Sequence, residues 1–473
     1  MLFNSLTFIV FFAIVLALHY SPFSWRTKKV NLLLASYIFY AAWNPPFIII
    51  LWLSTVADWF VAKKLYKTEN KSNRRWWLAI SLVVNLGLLG FFKYGGFLLE
   101  NFVSLMQLMG INYAPAAPDI VLPVGISFYT FQTMAYSLDV YLRRGKPADS
   151  FLNFALFVTF FPQLVAGPIV RPTELIPQFK IARVATRKQL TWGLALMTLG
   201  LFQKMVIADT FLAPAAEAVF GNFAPVHIWD AWLGVLAFAG QIFCDFAGYS
   251  TTAIGAALCL GFAIPENFNF PYAAIGFSDF WRRWHMSLSS WLKDYLYIPL
   301  GGNRVGKFRA YVNLMITMLL GGLWHGANWT FVIWGALHGL YLVVERFLRK
   351  IFHGKTWLQN RAIKLGLGLL TFYLVNVAWV FFRAPTFEKA GLMLASMHGF
   401  MPGGMKILTT ISILSVVIIL SAMLLIHWLM RNTTLEAVVS GFSWWQIGLG
   451  WAALLFLLII NQGGGNAFIY FQF

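Results

Sequence analysis

The sequence predicts an all-α integral membrane protein, with about 11 to 13 membrane helices and re-entrant elements. Three observations carry that prediction. Hydrophobic residues fill 59% of the 473 positions. Charged residues fill 11%, where a soluble domain has about 25%. Long apolar stretches recur from the first residues to the last, leaving no water-soluble region in which a separate catalytic domain could sit.

A spanning helix takes about 20 apolar residues at about 1.5 Å each. By that measure candidate segments fall near residues 2–20, 30–62, 76–112, 120–142, 150–170, 189–212, 229–263, 310–344, 362–385, 406–430 and 443–461. Several are too long for one crossing and are expected to be pairs. The start of the chain has neither the basic region nor the cleavage site of a secretory signal, so 2–20 reads as a retained membrane segment. No linker, low-complexity tract or fixed-period repeat appears, and one polytopic domain over 1–473 is the economical reading. The two halves share no pattern of Gly and Pro interruptions, which argues against a transporter built on inverted repeats.

The net charge of +18 would suggest nucleic acid in a soluble protein. Here the basic residues cluster between apolar segments: Lys63, Lys64, Lys67, Lys71, Arg74 and Arg75; Lys180, Arg183, Arg187 and Lys188; Arg346, Arg349, Lys350, Lys355, Arg361 and Lys364. That is the pattern of cytoplasmic loops, so the partner is a lipid bilayer and no nucleic acid is expected. Residues 205–281 carry no Lys or Arg, and 213–230 are expected outside. Cys244 and Cys259 lie in apolar sequence and read as buried thiols.

Pro and Gly interrupt the apolar pattern in LPVGISFYTFQ (122–132) and FFPQLVAGPI (160–169), as packing kinks or as the lining of a cavity. Between 277 and 295, Phe277, Phe280, Trp281, Trp284, Leu288, Trp291, Leu292 and Tyr295 recur every three or four residues. They resemble an amphipathic interfacial helix that Ser278 or Asp279 caps. Residues 310–344 carry no charge, and one continuous helix there would run about 52 Å against a core of about 30 Å. The bend belongs in GGLWHGAN (321–328), which makes His325 an intramembrane histidine on a helix break. His285 closes an aromatic and basic run, and His338 reads as structural. No HExxH, CxxC or acid cluster supports a metal, and no GxSxG elbow supports a serine hydrolase. General-base chemistry on a hydroxyl remains, with acyl transfer as one case.

Six motifs then carry a resemblance. LPVGISFYTFQ (122–132), FPQLVAGPI (161–169), DFAGYS (245–250), DFWRRWH (279–285), YIPLGGNR (297–304) and LWHGANW (323–329) follow one another along most of the chain. Together they resemble the membrane-bound O-acyltransferase family, and within it the bacterial branch that O-acetylates polysaccharides such as alginate. The resemblance implies helices around a central tunnel in which donor and acceptor meet. It implies His325 as the catalytic histidine and His285 as a second functional position, where other branches place Asn or Asp. It also implies acetyl-CoA as donor substrate with no permanently bound cofactor, an inner-membrane location, and periplasmic acetyltransferase partner proteins that complete transfer to a polysaccharide acceptor. The tail 462–473 ends in FIYFQF, similar to a Phe-x-Tyr-x-x-Phe signature of this branch that makes Tyr470 an acyl relay, and Gly463 to Gly465 lend the tail reach. An aromatic membrane anchor accounts for the same residues. Arg304 and Lys307 are expected to attract the coenzyme's phosphates. Peptidoglycan or teichoic-acid transfer, including D-alanyl transfer, stays open. So do a precursor transporter, with Asp58, Asp139 and Asp245 as its residues to test, and a secretion scaffold that would tolerate loss of His325.

Overall fold

The computed structural model describes residues 1–116, 119–461 and 468–469, and among them every element is a helix, with one isolated β-bridge between Val226 and Met405. Six helices are long and apolar enough to cross a membrane: Lys71–Leu108, Arg187–Gly221, Ile228–Cys259, Trp329–Ile351, Arg361–Arg383 and Thr410–Met430. Leu6–Tyr20 and Trp444–Ile460 are shorter apolar helices. The chain falls into two compact units, Met1–Leu194 with Ala253–Pro265, and Ala195–Thr252 with Glu266–Phe473.

In the first unit, helix starts are written in the sequence. Ser5, Ser24, Asn70 and Ser150 each accept a backbone N–H of the first turn that would otherwise go unpaired. The segment near 30–62 is the expected pair, Trp25–Ala41 and Phe47–Lys67. The segment near 76–112 is instead one helix of 38 residues, Lys71–Leu108, because its glycines keep helical conformation and only Gly110, beyond the end, turns left-handed. Gly125 has φ of 75°, and a Cβ there would lie 2.7 Å from the carbonyl oxygen of Leu164. The two Pro/Gly runs therefore break against each other, which is the packing reading of both. Asp58 is fully buried and accepts from Ser81, from Ser137 Oγ (2.6 Å) and from Asn85 Nδ2 (2.6 Å). Its donors meet what a buried carboxylate demands, and the residue pins three helices together.

In the second unit, Gly200 on Arg187–Gly221 faces Gly248 on Ile228–Cys259, and a Cβ on either would come within 2.4–2.5 Å of the other's carbonyl oxygen. The uncharged stretch is a hairpin of Lys307–His325 and Trp329–Ile351, with the break at 326–328 where the sequence places it. Asn328 caps the return helix by accepting the Thr330 N–H at 2.9 Å. Gly322 and Gly335 let the two backbones touch: a Cβ would sit 2.3 Å from the Phe331 carbonyl oxygen at one and 2.3 Å from that of Met318 at the other.

The amphipathic helix expected over 277–295 is not formed. The run divides into Phe277–Trp281, Met286–Leu292 and a π-helical turn Lys293–Tyr297, and Trp284 and His285 are completely buried. Its aromatic residues lie in a core with Trp334, Trp379 and Phe382 rather than on a bilayer surface. Ser278 and Asp279 do not cap it by their side chains. Gly276 stands at the cap, the Ser278 N–H donates to Glu345, and Asp279 accepts from Ile275 N–H and Arg283.

Gly322→Ala is expected to lower stability by about 1–3 kcal/mol through overpacking, read as a fall in the thermal unfolding midpoint in detergent. Gly450→Ala, where nothing lies within 4 Å of the added carbon, is expected to leave the midpoint unchanged or raise it. Equal midpoints for the two would refute the close-approach constraint.

Candidate active site

Lys307–His325 ends at His325, and the chain leaves the helix there because Gly326 is extended, at φ −162° and ψ 152°. Any larger residue at 326 would meet the Phe331 ring, 2.1 Å from the added Cβ. His325 is 2% exposed. Its ring centroid lies 5.0 Å from Trp324, 4.9 Å from Trp334 and 5.2 Å from Phe382. Three aromatic walls thus leave the imidazole little water to compete with its chemistry.

His285 comes to the same place from a different element. Its backbone is left-handed, φ 43° and ψ 54°, and it stands at the start of Met286–Leu292. Two main-chain bonds hold that shape, Asn269 N–H to Arg283 and Met286 N–H to Asn267, both 2.9 Å. The centroid of His285 lies 6.5 Å from that of His325, 5.8 Å from Trp324 and 4.7 Å from Phe246. The structure therefore joins the two histidines that the sequence singled out.

Asn267 orients His285, and sequence reasoning missed it. Its Oδ1 accepts from Ser287 Oγ (2.9 Å) and Ser287 N–H (3.3 Å), while its Nδ2 donates to Ser250 Oγ (3.2 Å). With the amide so fixed, the 3.1 Å contact to His285 Nδ1 requires that nitrogen to carry the hydrogen. Neutral His285 consequently presents a lone pair at Nε2 and donates from that atom only as imidazolium. A single Asn in a loop gives no periodic or motif signal. Its one hint is its place in an otherwise apolar stretch after Glu266.

The remaining expected residues lie elsewhere or outside the described chain. Arg304 is in an exposed turn and Lys307 opens the helix that His325 closes, so the basic pair and the histidine stand about 27 Å apart along the axis. Arg346 joins the basic end, donating to Asn303 Oδ1 at 2.8 Å. His338 is buried with its centroid 4.7 Å from Trp334, on an aromatic wall it shares with His325. Tyr470 falls outside the described residues. Its neighbours Phe468 and Ile469 are 1% and 4% exposed, and the Phe468 ring packs 5.7 Å from Phe246. Cys244 and Cys259 are buried and free.

Two imidazoles buried among aromatic rings in a membrane chain define a candidate centre for proton transfer to or from a hydroxyl. The family model described as membrane-bound O-acyltransferase matches residues 148–383, a span that holds both histidines and Asn267. The chain is 42% identical over 404 residues to the probable alginate O-acetylase AlgI of Azotobacter vinelandii, covering 85% of this chain and 78% of that one. It is 41% identical over 397 residues to the peptidoglycan O-acetyltransferase of Helicobacter pylori, covering 78% and 74%. To the teichoic acid D-alanyltransferase of Streptococcus thermophilus it is 30% identical over 272 residues, covering 54% and 65%. The chain belongs to the membrane-bound O-acyltransferase family, and it is a multi-pass membrane acyltransferase.

Asn267→Leu removes the acceptor of His285 and leaves its Nδ1–H buried without a partner, at about 1–3 kcal/mol. Acyl transfer is expected to fall roughly 5- to 150-fold, and Asn267→Asp, which keeps the acceptor, to retain more of it. Wild-type rates in the Leu variant would remove Asn267 from the site.

Proposed function

We propose that the protein takes acetyl from acetyl-CoA at the cytoplasmic face of the inner membrane and passes it outward to hydroxyls of an extracytoplasmic polysaccharide, of alginate type. The observation that carries this reading is the buried pair of His285 and His325, with His285 oriented by Asn267, inside the span that matches the family. The 42% identity to a probable alginate O-acetylase supports the acetyl group and the acceptor class.

Donor and acceptor meet in a tunnel at His325, which acts as general base. It takes the phenol proton of Tyr470 as that oxygen attacks the thioester carbonyl. The carbon–sulfur bond breaks, the thiolate of coenzyme A leaves, and the imidazolium returns the proton to it. Acetyl now sits as an ester on Tyr470. An acceptor hydroxyl attacks that ester, its proton passes to the departing phenolate, and periplasmic acetyltransferase partner proteins complete delivery to the polysaccharide. His285 positions the acetyl group. Arg304 and Lys307 attract the coenzyme's phosphates at the inner face.

A second reading has support in the D-alanyltransferase match: an aminoacyl donor and a teichoic-acid acceptor with the same base.

Transfer of radiolabelled acetyl from acetyl-CoA to the protein in liposomes, with peptide mapping, tests both. Wild type is expected to label on the C-terminal peptide. His325→Ala is expected to lose about 10²- to 10⁴-fold in rate, and Tyr470→Phe to lose the label. Label that survives Tyr470→Phe rules out the relay, and labelling by a D-alanyl donor alone transfers the assignment to the second reading. Arg304→Ala with Lys307→Ala is expected to raise KM for acetyl-CoA roughly 2- to 30-fold at low salt, with kcat retained. A KM that does not move separates these cations from the donor.

A further inference from the structure

The end of the chain returns to the site at a buried charge. Residues 202–212 of Arg187–Gly221 are π-helical, and the wider turn brings Lys204 and Asp209, five apart, to one face. Lys204 Nζ lies 2.8 Å from Asp209 Oδ1 and 2.5 Å from Asp245 Oδ1, with these side chains 2–6% exposed. The Gly200–Gly248 contact brings the two helices close enough for a side chain to reach between them. Lysine thus engages one oxygen of Asp245. The other, Oδ2, accepts the backbone N–H of Ile469 at 2.8 Å. Beside it the Phe468 ring sits 4.8 Å from Tyr249 and 5.7 Å from Phe246, and Phe246 touches His285 on the other side at 4.7 Å.

A main-chain hydrogen bond ignores the side chain of the residue that donates it. What it fixes is which residue stands at a given point, and a charged acceptor in an apolar setting makes that bond about twice as strong as a neutral one. Residue 469 is pinned to Asp245, its predecessor is packed on a ring that also touches a site histidine, and its successor by one peptide bond is Tyr470.

We propose that Asp245, held by Lys204, docks residues 468–469 through the Ile469 N–H, and is a positioning residue for the transfer that Tyr470 relays. This rests on the relay reading of Tyr470. Lys204 engages Oδ1 of Asp245 and leaves Oδ2 aimed at the Ile469 N–H. Asp209 remains as counter-charge for Lys204 when Asp245 is replaced, so the variant Asp245→Leu retains a paired lysine.

The test reads docking without catalysis. A benzoylphenylalanine photo-crosslinker replaces Phe468 in the full chain in membranes, and crosslinks to the peptide spanning 245–250 are measured by mass spectrometry. Crosslink yield is expected to fall at least tenfold in Asp245→Leu. It is expected to fall equally in Ile469→Pro, which deletes the N–H and leaves the charge cluster intact, while Ile469→Ala keeps wild-type yield. In the same variants without the crosslinker, kcat for acetyl transfer is expected to fall by a similar factor with KM for acetyl-CoA unchanged. Wild-type crosslinking in both Asp245→Leu and Ile469→Pro would overturn the docking. Lost crosslinking with undiminished transfer would overturn the positioning role together with the relay, and leave His325-dependent transfer standing. Expected crosslinking in a wild-type protein that takes no acetyl from acetyl-CoA would count against the donor and support the docking.

Discussion

Backbone-to-backbone contact at Gly322 and Gly335 is the constraint on which the site's position depends. In a membrane interior a chain can reverse only where its freed N–H and C=O groups find partners, and here the reversal is three residues long with Asn328 supplying the cap. The hairpin can be that short because no side chain separates its helices where Gly322 meets Gly335. His325 is the last residue before the turn and lies less than one helical turn beyond Gly322, so the packing of two glycines determines where its imidazole comes to rest. Stability and chemistry are coupled at this point through distance alone.

The buried charges obey the same economy. Asp58 in the first unit is enclosed by hydroxyl and amide donors from two neighbouring helices and needs no ligand to be stable. Asp245 in the second unit has a full counter-charge in Lys204 and still offers an oxygen to a distant part of the chain. Two carboxylates that look alike in sequence, each a lone acid in an apolar run, therefore differ in kind: one is closed upon itself and the other is an open acceptor.

Much of this architecture was legible in composition and period. The uncharged run at 310–344 exceeded any single crossing, and its glycines showed where it bends. The motif LWHGANW marked His325 for the same reason. The run at 277–295 misled, because helical spacing of aromatic residues fits an interfacial helix and a core segment equally well, and the break at His285 has no glycine or proline to announce it. Asn267, Lys204 and Asp245 were illegible as a group because their meaning lies in contacts between segments far apart in the chain. Asp245 drew notice as a charge in an apolar run and as the first residue of DFAGYS, neither of which shows its partners. The 71–108 helix was missed for an opposite reason: its segment was too long for one crossing and was expected to be a pair, and the helix runs on unbroken.

His285 adopts a left-handed backbone, a region that non-glycine residues enter rarely and in which Asn, Asp and His are several-fold enriched. Those are the three residue types that the family resemblance places at this position. The local fold has thus already narrowed the alphabet: β-branched and bulky side chains are strained there whatever chemistry they bring, and the permitted polar set consists of one imidazole, one amide and one carboxylate. An amide or a carboxylate could replace the imidazole at this bend without moving the main chain. The left-handed turn thus acts as a filter on which side chains can stand 6.5 Å from His325.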